Sequence, residues 1–281
     1  MTLSTTLDRE AIISASVSLP AAPQIMARLY KLLIDCNSGL AKIAELLKRD
    51  PAMTARIIRI ANSSAYGNGV GLGTIEEALQ RVGYSEVYSL VGTATNECVG
   101  KGGLRCYGFS GEAFRRHNLF SALVAEQLAG ATGIDPRSAY TAGLLRAIGQ
   151  LLLDTVGRDK LPPSATFPEM GAGRVVDWER EVFGVSHYEV AGALLAEWGF
   201  PEEIVLAVEH GHGNAASMSR LGRVIDLTDN IVRLAGFGLS ADESEWGIPA
   251  ASLEALGISH EVAARAQALA LARFQAFEQA N

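Results

Sequence analysis

The sequence predicts an all-helical fold for this chain of 281 residues. Apolar residues recur at three- and four-residue spacing along most of its length, which is the period of a helix with one buried face. Residue types that cap helix N-termini stand where these segments begin. Alternating apolar and polar runs, which would indicate strands, are few, and no repeat of 20–50 residues is evident.

The first helices are predicted between residues 19 and 61. Leu19-Pro20 and Pro23 precede a segment with one apolar face, and a shorter segment of the same period follows. Asp50-Pro51 then begins a third helix, because aspartate caps free N–H groups and proline lacks an N–H that the first turn would leave unpaired. The apolar faces consist of Ile25, Leu29, Leu32, Leu33, Leu40, Ile43, Leu46, Leu47, Ile57, Ile58 and Ile60.

Two glycine-rich stretches interrupt the helical pattern. Residues 62–73 contain four glycines and predict turns. Thr74 and Glu77 then form a capping box, in which each side chain satisfies a backbone N–H near the other. That helix ends at Gly83, and Ser85 caps another. Residues 100–111 are again loose and mark the first candidate domain boundary.

The central helices begin at clear capping residues. Ser110 caps a helix that carries His117. Asp135-Pro136 repeats the Asp-Pro start, and we expect the long apolar helix after it to run to about Val156. Residues 157–173 contain three prolines and predict a loop.

The last third of the chain is also predicted to be helical. Ser186 and Glu189 form a second capping box, and Pro201 starts a further helix. Residues 220–234 and the alanine-rich residues 259–279 form two more, the latter favoured by intrinsic propensity alone. Residues 236–256 show no clear period, and His260, at the start of the last helix, is expected to be exposed.

The composition excludes several functional classes. The net charge of -7 argues against a nucleic-acid partner. No apolar run reaches the roughly 18 residues that would span a membrane, and the N-terminus lacks the apolar run of a signal peptide. Cys36, Cys98 and Cys106 form no CxxC pair and indicate no disulfide framework. We therefore expect a cytoplasmic protein with reduced, largely buried cysteines and no membrane partner.

Common catalytic motifs are missing from the sequence. Around Gly100-Lys101 a phosphate-binding Walker loop would need a glycine at Thr95 and a hydroxyl residue at Gly102. No strand precedes a glycine cluster as a dinucleotide site requires. No Gly-x-Ser-x-Gly elbow occurs, and no cysteine has a histidine partner nearby in sequence. The glycine clusters are interpreted as turns.

The histidines are the most informative polar residues. His117, His187, His210 and His212 belong to the central helices, in a region that also contains Asp229. Imidazoles and carboxylates from several helices commonly bind metal ions in helical cores. The alternative is that each histidine is a hydrogen-bonded structural residue, since a metal site requires that the fold bring them together.

Several motifs, in order and spacing, resemble the HDOD domain, a bacterial signalling module related to the HD phosphohydrolases. The resemblance spans about residues 19–235 and implies a multi-helical, HD-domain-like architecture. In the first half the matching residues are Leu19-Pro20, Pro23, Arg49 to Arg56 in sequence, Ile60-Ala61-Asn62-Ser63, Thr74-Ile75-Glu76-Glu77-Ala78 and Val82-Gly83. In the second half they are Arg116-His117-Asn118, Ala142-Gly143-Leu144-Leu145, Ile148-Gly149, His187-Tyr188-Glu189-Val190 and Trp198-Gly199-Phe200-Pro201.

The sequence departs from the related enzymes at their metal site. HD enzymes bind metal through a histidine, an adjacent His-Asp pair and a distant aspartate. By this resemblance His117 matches the first ligand and Asp229 the last, but the pair is replaced by Arg146-Ala147. Such an enzyme needs its cation to polarise phosphate and activate water. The resemblance therefore implies a chain without metal, cofactor or catalysis.

Three interpretations of Arg146 remain open at this stage. Its guanidinium could take the place of the metal and donate to Asp229. It could instead point outward, leaving the old site simply packed. In the third interpretation Arg146, His117, His187 and His210 hold a phosphorylated or nucleotide ligand without cleaving it, since arginine donates two parallel hydrogen bonds to phosphate.

The resemblance also implies an organisation and a role. We expect an extension at residues 1–18, an N-terminal helical lobe at 19–109, an HD-like lobe at 110–235 and a helical extension at 236–281. The expected function is a non-catalytic regulatory module that contacts other signalling proteins in trans. The alternatives are a metal-dependent phosphohydrolase and a nucleotide sensor. Residues 100–111, residues 157–173 and the tail after Ala235 are either partner-binding segments or plain connectors.

Overall fold

The computed structural model shows a bundle of fifteen α-helices within the part of the chain that it describes. No strand occurs among these residues, although Leu104 and Phe109 form one isolated antiparallel bridge. The described residues are 7–17, 19, 22–34, 39–63, 66, 71–83, 86–97, 102–158, 160–167, 174–210, 218–239 and 247–279. Within them, no helix combines the length and the apolar character needed to cross a membrane.

The helices are numbered here in chain order. The first six are α1 (Arg9–Ser16), α2 (Ala22–Ile34), α3 (Leu40–Lys48), α4 (Pro51–Ala61), α5 (Ile75–Val82) and α6 (Val87–Asn96). The central ones are α7 (Gly111–Thr132), α8 (Pro136–Leu145), α9 (Ile148–Gly157), α10 (Val175–Phe183), α11 (His187–Glu197) and α12 (Glu202–Glu209). The last are α13 (Arg220–Leu234), α14 (Ala250–Leu256) and α15 (His260–Glu278).

Helix α7 is the axis of the fold. Helices α8, α13 and α15 pack around it, and its residues Phe114, Phe120 and Leu123 are fully buried. The approach of α8 is close because a Cβ atom on Gly143 would lie 2.7 Å from the carbonyl oxygen of Ser121. Glycine at this position therefore lets the backbones of α7 and α8 approach closely.

The N-terminal helices share this core. Helices α2 to α6 pack on one another, and the Tyr30 hydroxyl lies 3.0 Å from that of Ser138 on α8. Helix α1 packs on α9 and α11, and the Leu7 N–H donates to the carbonyl of Phe183. Residues 7–17 therefore contact the central helices. The expected domain boundaries stay a prediction.

The expected helix starts are confirmed where the structure describes them. Asp50 and Asp135 cap α4 and α8 with their side chains, and both expected capping boxes are formed. His260 is exposed, as expected. The expectations for Ser85, Cys36, Cys98 and His212 lie outside the described residues.

Two expectations were wrong in detail, and two helices were not predicted. The long helix from Asp135 to Val156 is two helices, α8 and α9, separated at Arg146-Ala147. Helices α10 and α14 were not predicted individually, because neither begins at a residue whose side chain caps the helix. The described part of residues 100–111 is packed rather than loose, with Cys106 and Tyr107 buried.

Candidate functional site

The candidate site lies at the junction between α8 and α9. Ala147 leaves the helical conformation (φ -88°, ψ 5°), and α9 restarts at Ile148. The start of α9 abuts the start of α11, since a Cβ on Gly149 would lie 1.9 Å from the carbonyl oxygen of His187. This contact brings Arg146 and His187 to one place, and α7 and α13 add His117 and Asp229.

Arg146 joins the two residues that the family resemblance assigns to metal. Its Nη2 lies 2.5 Å from Oδ1 of Asp229 and 3.1 Å from Nε2 of His117. The side chain is buried, with 7% of the residue exposed. The expected contact between Arg146 and Asp229 is therefore present, and the interpretation that Arg146 points outward is wrong.

The hydrogen bonds of His117 define its tautomer. Its Nδ1 lies 2.8 Å from the carbonyl oxygen of Phe237, so Nδ1 carries the proton and donates. Nε2 then offers a lone pair and accepts from Arg146. Burial, and next the charge of Arg146, lower the pKa of His117 to about 3. The imidazole is neutral at pH 7, as the arrangement requires.

Asp229 is held by two cations. Nη2 of Arg233, one turn further along α13, lies 3.1 Å from its second oxygen, Oδ2. Burial is the largest single influence on the pKa of Arg146 and lowers it, but Asp229, Tyr188 and Asp226 together outweigh burial and raise the pKa. Arg146 therefore stays protonated inside the protein. Burial, reinforced by Asp229, raises the pKa of nearby Asp226.

His187 belongs to a second buried network beside the ion pair. Its Nδ1 lies 2.7 Å from Oε2 of Glu179, and its backbone N–H donates to the same carboxylate. The Tyr107 hydroxyl donates to Oε1 of Glu179 at 2.7 Å. Burial, and next the charge of Glu179, raise the pKa of Tyr107 well above its usual value, so it remains a donor.

Glu179 is the residue that sequence reasoning missed. It is fully buried on α10, a helix that the sequence did not indicate, and no motif surrounds it. A carboxylate within an apolar helix face was the one available signal, because a buried carboxylate is rare unless it is paired. Here Glu179 orients the His187 ring.

The residues at the site leave a cavity of about 30 Å³. Among the described residues, Nε of Arg146 and Oε1 of Gln150 are buried without a hydrogen-bond partner, and both residues line it. A water needs at least about 10–15 Å³ of such volume, so the cavity admits about two waters. The cavity is lined by His117, Arg146, Ala147, Gln150, Val175, His187, Tyr188, Asp229, Arg233 and Leu239.

His210 is not brought to this cavity. It caps the C-terminal end of α12, is exposed, and lines a separate groove with Arg174, Arg180 and Glu189. The expected grouping of His210 with His117 and Asp229 differs from the structure because α12 ends at the surface. Five of the six expected site residues therefore share the cavity: His117, Arg146, Ala147, His187 and Asp229.

The residues present do not fit the metal that the related enzymes use. No group of three or more His, Cys, Asp or Glu side chains within the described ranges is arranged to hold a metal ion. Nε2 of His117 and Oδ1 of Asp229 face a guanidinium instead, Ala147 supplies no carboxylate, and Nδ1 of His187 is bound to Glu179. No catalytic step through a metal follows from this geometry.

Comparisons with known proteins agree with the fold. A protein of Shewanella amazonensis named as a candidate phosphohydrolase has 22% identity and a TM-score of 0.68, with 96% of each chain covered. The MmoQ response regulator of Methylococcus capsulatus has 25% identity and a TM-score of 0.50, covering 87% of this chain and 96% of that one. An uncharacterised protein of Treponema pallidum is 23% identical over 200 residues, which is 69% of this chain.

The family match covers more than half of the sequence. The chain spans only 37% of the length of the Treponema relative, so that relative contains much that has no counterpart here. The HDOD domain matches residues 19–214, which include His117, Arg146 and His187. The chain therefore belongs to the HDOD domain family.

Proposed function

We propose that this protein is a non-catalytic signalling module that works by contacting other proteins. The observation that supports it is the buried guanidinium of Arg146, bonded to both His117 and Asp229. These are the two residues that would contribute metal ligands in a catalytic relative. A side chain of this chain thus satisfies the groups that a cation would otherwise engage.

Electrostatics supports the same conclusion. A cation about 4 Å from the guanidinium would be repelled by about 4 kcal/mol at an effective dielectric constant near 20. That energy corresponds to about three decades of affinity. Arg233 adds a second positive charge beside Asp229, and the missing imidazole and carboxylate weaken binding further. Metal-dependent hydrolysis is therefore disfavoured by charge as well as by ligand number.

Metal content and phosphoesterase activity test this proposal together. The protein is expressed with iron and manganese supplied and then purified. It should contain under about a tenth of an equivalent of metal and should not hydrolyse phosphoesters, because His117 and Asp229 are already bonded to Arg146. The double variant R146H/A147D, which restores the His-Asp pair, should gain bound metal. R146M is the matched control, since it removes the charge without supplying a ligand.

The opposite result is equally clear. Near one equivalent of metal in the unmodified protein, lost in D229N, would show that Arg146 moves aside for a cation. Phosphoesterase turnover that depends on that metal would establish the enzyme instead. If neither the unmodified protein nor R146H/A147D binds metal, a ligand other than the His-Asp pair is also missing.

A nucleotide ligand in the former metal position is less well supported. The cavity of about 30 Å³ holds about two waters and is far smaller than a nucleotide. The buried Nε of Arg146 is a donor that a small polar occupant could use. The nucleotide alternative stays a prediction, and a thermal shift without turnover is its signature.

The candidate partner-binding segments from the sequence are partly packed in the structure. Tyr107 donates to Glu179, Trp178 donates to the carbonyl of Ala165, and Phe237 packs on Phe120 and Phe274. These described parts serve as connectors that complete the core. A more exposed surface is needed for a partner.

A cationic groove between α2 and α3 offers such a surface. It measures about 520 Å³, and the half-buried Leu32 and Leu46 provide its apolar part. Four exposed cations line it against one carboxylate, Glu45, although the whole chain carries a net charge of -7. Charge complementarity favours an acidic segment with apolar residues on a partner protein. The cations are Arg28, Lys31, Lys42 and Arg49.

Charge reversal tests whether a partner, once it has been identified, binds at this groove. The partner is first purified, and its direct binding is then measured for the unmodified chain and for R28E/R49E. We expect affinity to fall at least about tenfold in the variant and to fall with added salt. Unchanged binding would move the contact to another face. The matched control is R265E, which reverses an exposed cation on α15.

A further inference from the structure

A second cavity, which shares no lining residue with the cavity at the ion pair, lies between α6, α7 and α15. It has a volume of about 280 Å³ and combines polar and apolar walls. Asn96 and Glu97 line it from α6 and its C-terminal cap, Arg115 from α7, and Phe274 and Phe277 from α15. Neither the family resemblance nor the proposed function assigns a role to this cavity.

Two buried acceptors in this cavity have no donor among the described residues. Only 5% of Asn96 is exposed, its Nδ2 donates to the carbonyl of Arg115 at 2.7 Å, and its Oδ1 has no partner among the described residues. Glu97 accepts from Arg56 and Arg59 through Oε2, while its Oε1 is buried and likewise unpartnered within that part of the chain. Buried acceptors are normally satisfied, so both atoms call for a donor such as an ammonium group.

One cation at the cavity, Arg115, has no anionic partner within the described ranges. The half-buried guanidinium of Arg115 has no hydrogen bond or ion pair in the residues that the structure describes. Its neighbour Arg116 is engaged by Glu278 at 3.0 Å. A guanidinium presents paired donors that suit a carboxylate. The cavity therefore provides a cationic group that binds an anion, in addition to the two acceptors.

The remaining wall is apolar. Leu119, Phe274 and Phe277 line it, and each is more than nine-tenths buried. Arg56 and Arg59 pair with Glu97, and Arg116 pairs with Glu278. Glu112, a third carboxylate in the lining, lies 4.0 Å from Arg116. Together with Arg115 these are four cations and three carboxylates, so the cavity carries little net charge. A ligand with one positive group, one negative group and an apolar body matches all three walls. A ligand with a single charge would leave either the two acceptors or Arg115 without a partner.

We propose that this cavity binds a free α-amino acid with an apolar side chain. The ammonium group donates to Oδ1 of Asn96 and Oε1 of Glu97, and Arg115 donates to the carboxylate. The side chain packs against Leu119 and the two phenylalanines. Because the ligand touches α6, α7 and α15 together, its binding stabilises the attachment of the C-terminal helix.

Calorimetry and thermal unfolding of the full chain test the proposal with defined probes. L-Leucine and L-phenylalanine should bind saturably and raise Tm. Two analogues of leucine separate the charged groups: 3-methylbutylamine lacks the carboxylate, and 4-methylpentanoate lacks the ammonium group. Each should bind at least about tenfold more weakly than leucine. No saturable binding by any of the twenty L-amino acids at millimolar concentration would overturn the proposal.

One substitution links the preference to a named residue. R115Q should weaken leucine binding at least about tenfold while affecting 3-methylbutylamine little, because that analogue has no carboxylate. R265Q, on the exposed face of α15, is the matched control and should bind leucine as the unmodified chain does. Equal loss for leucine and the amine, or no loss for either, would contradict the assignment. These outcomes leave the interpretation of Arg146 untouched.

Discussion

Arg146 and Asp229 form an ion pair inside the protein, with Nη2 2.5 Å from Oδ1 and both side chains less than a tenth exposed. By the family resemblance, His117 and Asp229 correspond to residues that hold a cation in the related enzymes. A fixed positive charge of the chain thus takes over the attraction to His117 and Asp229 that a metal would exert. The break between α8 and α9 at Arg146-Ala147 lies beside the contacts of Arg146 with His117 and Asp229, so the local backbone and the ion pair belong to one arrangement.

Breaking the ion pair should destabilise the protein strongly and asymmetrically. D229N leaves Arg146 buried without an anion, and we expect it to cost about 3–5 kcal/mol. R146M should cost less, because Asp229 keeps Arg233. The double variant should be more stable than the sum of the single losses by at least about 1 kcal/mol. Urea unfolding at pH 7 measures all three, and losses that add within about 0.5 kcal/mol would disprove the coupling.

The neutral His117 should make stability fall in acid. Burial, and next Arg146, lower its folded pKa to about 3 from 6.5. Between these two pH values the unfolded chain therefore binds one more proton than the folded chain. The free energy of unfolding decreases by up to about 1.4 kcal/mol for each unit by which the pH is lowered. The stabilisation that depends on the neutral imidazole of His117 is complete above pH 6.5 and is lost near pH 3.

Unfolding free energies at several pH values from 4 to 7 check this sign. H117Q lacks the titrating imidazole, so its stability should depend less steeply on pH in that window. The exposed His260 provides the control, and H260Q should keep the slope of the unmodified chain. Equal slopes for H117Q and the unmodified chain would mean that His117 does not drive the effect.

Local sequence signals were enough for most helices but not for the site. Capping boxes at Thr74 and Ser186 act within one turn, so they could be read without knowing the fold. The break at Ala147 could not, because the run around it is apolar on both sides. Next to the break, Gly149 packs against α11, a contact distant in sequence that no local signal reveals.

The pairing of Arg146 with Asp229 was predictable from a compensating change of charge at matched positions. The partners of His187 and His117 were not. Glu179 lies on an unmarked helix, and His117 is oriented by a backbone carbonyl at Phe237, which no residue type reveals. His210 was grouped with the site because sequence order does not show that α12 ends at the surface.

Cys106 should be inert to alkylation in the folded protein. Burial, and next Asp154, raise the pKa of its thiol to about 12. At pH 8 the reactive thiolate is then only about one part in ten thousand. Iodoacetamide labelling followed by peptide mass spectrometry should modify Cys106 in concentrated guanidinium and leave it unmodified in buffer. Equal labelling rates in the two conditions would show that the thiol is accessible.

Gly149 should be intolerant of even one methyl group. A Cβ atom there would meet the carbonyl oxygen of His187 at 1.9 Å, and backbone cannot turn away as a flexible side chain can. We expect G149A to cost at least about 1–3 kcal/mol, as overpacked cores do. Gly130 on α7 is the matched control, because a Cβ there meets nothing within 4 Å.

G130A should leave stability unchanged or raise it by up to about 1 kcal/mol, since alanine favours a helix over glycine. Urea unfolding of the two variants compares the same chemical change in two surroundings. Similar effects of G149A and G130A would mean that α9 and α11 can separate without cost. A large loss confined to G149A would show that the close approach of α9 and α11, beside Arg146, is needed for stability.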